Sequence, residues 1–109
     1  MKLNLYTHNE LPVVQVSGEI DHWHAPEFEQ RINTLIDNGH NELVVDFSDL
    51  SYIDSGGVSV LFLELQKIRD LKGKLTVVTE NKNIIKILSL VQMTKQDCFA
   101  LKKNIEEVN

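Results

Sequence analysis

One serine hydroxyl lies between an acidic residue and two glycines in the run Asp54-Ser55-Gly56-Gly57. The apolar helical pattern that begins at Val58 predicts that Ser55 lies at or near a helix start. Unpaired backbone N–H groups and the positive end of the helix dipole favour negative charge there, so the site would tolerate a phosphate on Ser55. Gly56 and Gly57 have no Cβ atoms, which would let another backbone approach the hydroxyl. The alternative interpretation is that Ser55 is only a helix cap and that the glycines serve a tight turn.

A catalytic role for Ser55 has little support in the sequence. The common nucleophile elbow is Gly-x-Ser-x-Gly, whereas Asp54 precedes Ser55 here and no partner histidine is evident. We therefore expect a protein that is not an enzyme and that needs no cofactor.

The segment His22-Trp23-His24 follows Asp21 and carries two more groups that could do chemistry. Two histidines separated by one residue could join Asp21 in a metal site, but no further ligand follows at a suitable spacing. We expect a surface loop without a metal. Trp23 could anchor a partner protein or form a buried lid over the core.

The first half of the chain predicts a hairpin followed by a helix. Residues 3–7 and 13–17 read as strands, joined by the turn-like run Asn9-Glu10-Leu11-Pro12, and Gly18 is expected to end the second strand. Apolar residues at helical spacing predict a helix over residues 26–38, with Gly39 just after its end.

The second half predicts alternating strands and helices. The apolar run over residues 43–47 is typical of a central strand, and residues 48–54 are expected to form a loop. A helix closed by Gly73 follows, then a strand over residues 75–78, a helix capped by Asn81, a weaker strand over residues 98–101 and a short tail helix. The buried faces of the two helices are predicted to carry Val58, Leu61, Phe62, Leu65 and Ile68, and Ile84, Leu88 and Val91.

This alternation predicts an α/β fold with a mixed, mostly parallel sheet of four to five strands and about four helices. No linker, repeat or low-complexity segment interrupts the chain, so residues 1–109 are expected to form a single domain.

Composition indicates what kinds of partner the chain could have. Hydrophobic residues make up 42% of the 109 residues and the formal net charge is −5, which disfavours binding to nucleic acid or to anionic membranes. The first residues have no apolar run of the signal-peptide kind and no later stretch approaches a membrane span, so we expect a cytoplasmic protein. The single cysteine, Cys98, is expected to be a small core residue.

Two segments of the chain resemble the STAS family, the domain shared by sulfate transporters and anti-sigma factor antagonists. Residues 46–61, DFSDLSYIDSGGVSVL, are similar to the family's strand, acidic loop, Asp-Ser-x-Gly motif and following helix. Residues 16–21, VSGEID, are similar to the Gly-x-(Leu/Ile)-Asp that ends its second strand. The resemblance covers essentially the whole chain and implies a STAS-like fold.

The resemblance also implies a function. In stand-alone antagonists of this family, a kinase anti-sigma factor phosphorylates the serine at the position of Ser55, and phosphorylation ends binding. The expected partners are such a kinase and a serine phosphatase, and the protein itself is expected to be a monomer or a weak dimer. The residues expected to contact the partner are Asp21, Trp23, Asp54, Gly56 and Gly57. In the alternative interpretation Asp21 only ends a strand and Asp54 caps the same helix as Ser55.

The chain departs from the family pattern at two places. His22-Trp23-His24 replaces residues that are usually small or apolar, and Gly56 stands where many relatives have Ser, Thr or Ala. A second function stays open at this point, because STAS domains also serve as regulatory subunits of transporters, including lipid-transport assemblies, and of stress-sensing complexes.

Overall fold

The computed structural model of the protein describes residues 1–108; Asn109, the last residue of the predicted domain, lies outside the described residues. The strands are β1 (Lys2–His8), β2 (Leu11–Ile20), β3 (Glu42–Ile53), β4 (Lys74–Val78) and β5 (Phe99–Lys102). The helices are α1 (Ala25–Asp37), α2 (Ser55–Asp70) and α3 (Lys82–Leu90), with 3-10 helices at Met93–Lys95 and Ile105–Glu107.

The strands form one mixed sheet in the order β1-β2-β3-β4-β5. β1 and β2 pair antiparallel, and the other neighbours pair parallel. The α/β class, the mostly parallel sheet and the central position of β3 are confirmed. None of the helices within residues 1–108 is long and apolar enough to cross a membrane.

The hairpin turn is tighter than the sequence predicted. Asn9 and Glu10 both have positive φ angles, 50° and 68°, as in a two-residue hairpin loop. Pro12 therefore lies inside β2, and the prediction of a turn through Pro12 was wrong. The prediction that Gly18 ends the second strand was also wrong, because β2 continues to Ile20. Gly18 has a φ of +88° and lies where the pairing with β3 shifts register.

β3 is the largest departure from the predicted elements. It continues through residues 48–53, which were expected to form a loop, and stays paired with β2 as far as Ile53 opposite Ile20. The register of this pairing shifts between Gln15 and Ser17 and again between Gly18 and Glu19. These irregularities let the two strands continue to pair to their ends. As a result, β2 and β3 end side by side, and the segments that follow them start at the same edge of the sheet.

The main core lies between the sheet and the helices. Phe28 on α1 and Phe47 on β3 are both fully buried, with ring centroids 6.0 Å apart. Cys98 is buried, as predicted, but Val91 was wrongly placed on the buried face of α3, because it is the exposed C-cap residue. The opposite face of the sheet carries a smaller cluster, Val13, Val44, Val78 and Val108.

The end of α2 and the tail of the chain differ from the predicted structure. The residue in the left-handed region after α2 is Lys72, with a φ of 58°, so Gly73 does not close the helix by its own φ angle. Gly73 is instead required by crowding, because a Cβ there would lie 1.8 Å from the backbone oxygen of Asn41. The predicted tail helix is only the 3-10 helix at Ile105–Glu107.

Candidate functional site

The start of α2 is organised by Asp54 rather than by Ser55. Asp54 is the N-cap residue, and its Oδ1 atom accepts hydrogen bonds from the backbone N–H groups of Gly56 at 2.8 Å and Gly57 at 3.3 Å. Ser55 is the first residue of the helix and is exposed. The serine is thus at the helix start, as predicted, while the capping role in the alternative interpretation belongs to its neighbour.

The second oxygen of Asp54 joins α2 to the loop between β2 and α1. Oδ2 accepts a hydrogen bond from the backbone N–H of His22 at 3.0 Å, and the His22 ring nitrogen Nδ1 lies 4.0 Å away. The backbone N–H of Asp54 in turn donates to the oxygen of Ile20 at 3.0 Å. One residue therefore fixes the helix start against the end of β2.

Asp21 organises the loop on the other side of this contact. Its Oδ1 atom accepts hydrogen bonds from the backbone N–H groups of Trp23 at 3.0 Å and His24 at 3.1 Å, and it lies 2.8 Å from Nδ1 of His24. Partial desolvation would raise the pKa of Asp21, but the His24 backbone bond, the His24 charge and the Trp23 backbone bond together lower it below its ordinary value. Asp21 is therefore a fixed, ionised carboxylate within its own loop.

Trp23 is exposed at the tip of this loop, with 79% of its surface accessible, so the alternative of a buried lid was wrong. Its ring lies beside that of His22, with centroids 5.1 Å apart and planes tilted by 38°. His22 was not among the predicted site residues, although it contacts both Asp54 and Trp23; its departure from the family pattern is the signal that marked this position.

The two glycines of the motif have different surroundings. A Cβ on Gly57 would lie 2.6 Å from Cγ1 of Ile53 and 2.8 Å from Cγ2 of Ile20, so this buried glycine lets α2 pack onto the strand ends. A Cβ on Gly56 would lie 3.1 Å from Cα of His22. Close packing thus explains Gly57 without a partner, and a direct contact of either glycine with a partner stays a prediction.

The fold therefore brings all six predicted site residues to one edge of the sheet, where β2 and β3 end. Nδ1 of His22 lies 4.0 Å from Oδ2 of Asp54, and Nδ1 of His24 lies 2.8 Å from Oδ1 of Asp21, so each histidine of the loop faces a carboxylate. Among residues 1–108 no cluster of three His, Cys, Asp or Glu side chains is arranged to hold a metal ion. At this edge of the sheet both Ser55 and Trp23 are exposed to solvent.

The family model of the STAS domain matches residues 2–108. The chain belongs to the STAS family. Its sequence is 26% identical over 77 residues to BtrV of Bordetella bronchiseptica, a proposed anti-sigma factor antagonist; the match covers 71% of this chain and 66% of that protein, just under two thirds of its length. It is also 25% identical over 92 residues to an anti-sigma-B factor antagonist of Staphylococcus epidermidis, covering 83% of this chain and 85% of that protein.

Solved STAS structures agree with the fold. An anti-sigma factor antagonist from Mycobacterium paratuberculosis superposes with a TM-score of 0.85 at 28% identity, over 96% of this chain and 87% of the other. The phosphorylated form of the Bacillus cell fate determinant SpoIIAA superposes with a TM-score of 0.75 at 20% identity, over 96% of this chain and 95% of the other. At that identity the second likeness supports the STAS fold alone.

Proposed function

We propose that this STAS protein is an anti-sigma factor antagonist that binds a kinase anti-sigma factor while Ser55 is unmodified and releases it when Ser55 is phosphorylated. The observation that carries the proposal is the position of Ser55, exposed as the first residue of α2 in a STAS domain whose relatives include named antagonists. The proposed partners are the kinase and a serine phosphatase, and the proposed site of action is the cytoplasm.

Phosphorylation would act on the interface mainly through charge. It would add a charge of about −1.5 to −2 at neutral pH to a hydroxyl that lies next to the Asp54 carboxylate. The backbone N–H groups of Gly56 and Gly57 already donate hydrogen bonds to that carboxylate. The prediction that unpaired N–H groups at the helix start would bind the phosphate was therefore wrong for these two groups. A loss of about 1.4 kcal/mol weakens binding tenfold, and burying an unpaired phosphate against a partner would cost more than that.

In this proposal Ser55 is a substrate of the partner and not a nucleophile. This is supported by the sequence Asp54-Ser55-Gly56-Gly57, which departs from the Gly-x-Ser-x-Gly nucleophile elbow, and by the relatives that are named as antagonists. The protein would therefore act by binding and not by catalysis.

The test is phosphate transfer from ATP in the presence of candidate kinase anti-sigma factors, followed by mass spectrometry of the intact protein and of its peptides. One added phosphate on Ser55 is expected for the wild type, and none for Ser55→Ala. Ser59→Ala is the matched control, because Ser59 is also exposed and lies one turn further along α2; it should still accept one phosphate. The absence of transfer to Ser55 with every cognate kinase would refute the proposal.

The alternative function, a regulatory subunit of a transporter or of a stress-sensing complex, keeps the same fold. The relatives described above are named as antagonists, which favours the first proposal. Co-purification separates the two, since an antagonist should bring down an ATP-binding kinase and a transporter subunit should bring down a membrane ATPase.

A further inference from the structure

Trp23 is both highly exposed and firmly positioned. Its backbone N–H bonds to Asp21, the preceding residue His22 is bonded through its own N–H to Asp54, and the His22 ring lies against the indole. A partner that covers this indole would therefore bury a large aromatic surface without first having to order the loop, which favours tight binding.

The part of the chain around Trp23 is strongly acidic. Residues 3–66, which include β2, the loop, all of β3 and the start of α2, contain eleven Asp and Glu residues but only one Lys or Arg, namely Arg31. Residues 67–109 have the opposite balance, with nine Lys and Arg residues against five Asp and Glu residues. Asp54 and Asp21 accept hydrogen bonds from the backbone N–H groups of His22 and Trp23, and the exposed Glu27 follows in the first turn of α1.

We propose that Trp23 is the anchor for an arginine side chain of the partner protein, whose guanidinium group stacks on the indole while the surrounding carboxylates supply the opposite charge. The proposal rests on the proposed function, because it assigns the chemistry of the surface that binds the kinase. A guanidinium group fits this site better than an ammonium group, because it is planar, stacks on aromatic faces and is less strongly hydrated. A nucleic-acid partner would be repelled by the same carboxylates.

The first test uses dye-labelled hexa-arginine and hexa-lysine peptides, with binding measured by fluorescence anisotropy at one ionic strength. Both peptides carry the same charge, so the change in the ratio of their affinities on Trp23→Ala reports the stacking contribution. The wild type should prefer hexa-arginine, and Trp23→Ala should reduce that preference by about two- to fivefold, the size expected for a cation–π contact at an exposed site. Trp23→Phe, which keeps an aromatic face, should retain part of the preference.

Leu90→Ala is the matched control, because Leu90 is 71% exposed and lies at the end of α3, outside the site. It should leave the preference for hexa-arginine unchanged. An equal preference in the wild type and in Trp23→Ala, with both proteins folded by circular dichroism, would overturn the proposal.

The second test measures the affinity of the unmodified protein for a kinase that phosphorylates Ser55. Trp23→Ala should weaken this binding at least as much as it lowers the peptide preference, and Leu90→Ala should not. If a kinase phosphorylates Ser55 but binds Trp23→Ala as tightly as the wild type, the arginine-anchor proposal is wrong and the proposed function still stands. If Trp23→Ala loses the preference for hexa-arginine but no kinase transfers phosphate to Ser55, the proposed function is wrong and the assignment of Trp23 as an arginine-binding residue still stands.

Discussion

Asp54 uses one carboxylate to hold two neighbouring parts of the molecule, the start of α2 and the loop that carries Trp23. Asp54→Ala removes both contacts and should lower the free energy of unfolding by about 1–2 kcal/mol, the usual cost of losing a helix N-cap. Asp54→Asn keeps one acceptor oxygen for the helix and should lose less. Urea denaturation measures the differences.

Asp49→Ala serves as the control for this comparison, because it removes an exposed carboxylate in the middle of β3. It should change stability by less than Asp54→Ala. Equal stability of the wild type and Asp54→Ala would mean that the cap contributes nothing.

Gly57 is the residue of the motif that tolerates a side chain least. In Gly57→Ala the new methyl group would meet Ile53 and Ile20 at less than 3 Å, and the strain of overpacking should outweigh the gain in helix propensity. We expect a net loss of about 1–2 kcal/mol in unfolding free energy, measured by thermal or urea denaturation. Gly56→Ala, whose nearest neighbours lie at 3.1 Å, should be less destabilised; the reverse order would contradict the packing described here.

The sequence could identify these site residues but not their individual tasks. The sequence pattern before the apolar helix allows either Asp54 or Ser55 to be the cap. Only the structure shows that Asp54 is the N-cap and that Ser55 is exposed. Likewise, the pattern could not show which glycine faces the core, because this depends on where Ile20 ends β2.

At the scale of elements, α1 and α2 meet around a buried carboxylate that the sequence analysis missed. Glu64 on α2 is fully buried; its Oε1 lies 3.4 Å from Nζ of Lys67, and Oε2 has no hydrogen-bond partner among residues 1–108. Lys67 also donates to Oδ1 of Asn33 on α1 at 2.8 Å. Glu64 was missed because a charged residue in a helix is normally expected on the solvent side.

Burial raises the pKa of Glu64; attraction to Lys67 lowers it in part, while Glu29 and Asp37 on α1 raise it further. The folded state disfavours the ionised form of Glu64. The contribution of Glu64 to stability is therefore present at low pH, where the side chain is protonated, and is lost as the pH rises through the raised pKa. Glu64→Gln removes this loss, so its unfolding free energy relative to the wild type should increase from pH 4 to pH 8. A difference that is constant across this range would contradict the assignment.

The helices and the buried strands could be predicted from apolar spacing, but the length of β3 could not. Beyond Phe47 the buried residues of β3 are Leu50 and Ile53, three residues apart, which breaks the alternation expected of a strand. The irregular pairing with β2 allows this spacing, and pairing between distant strands leaves no local signal. The single-domain organisation of residues 1–109 stays a prediction.

At the scale of the whole molecule, a phosphate on Ser55 should change the surface and leave the fold intact. Ser55 is exposed, it precedes the buried stripe of α2, and the helix dipole partly offsets the repulsion from Asp54. Phosphorylated and unmodified protein should therefore have the same circular dichroism spectrum at 25 °C. A loss of helical signal on phosphorylation would show that the modification acts by unfolding.

The central claim concerns the difference in affinity that one phosphate makes. The most direct measurement is isothermal titration of the kinase anti-sigma factor with unmodified protein and with protein phosphorylated only on Ser55, at the same ionic strength. We predict that phosphorylation weakens binding by at least about tenfold, which corresponds to a loss of about 1.4 kcal/mol. Equal affinity of the two forms would contradict the account.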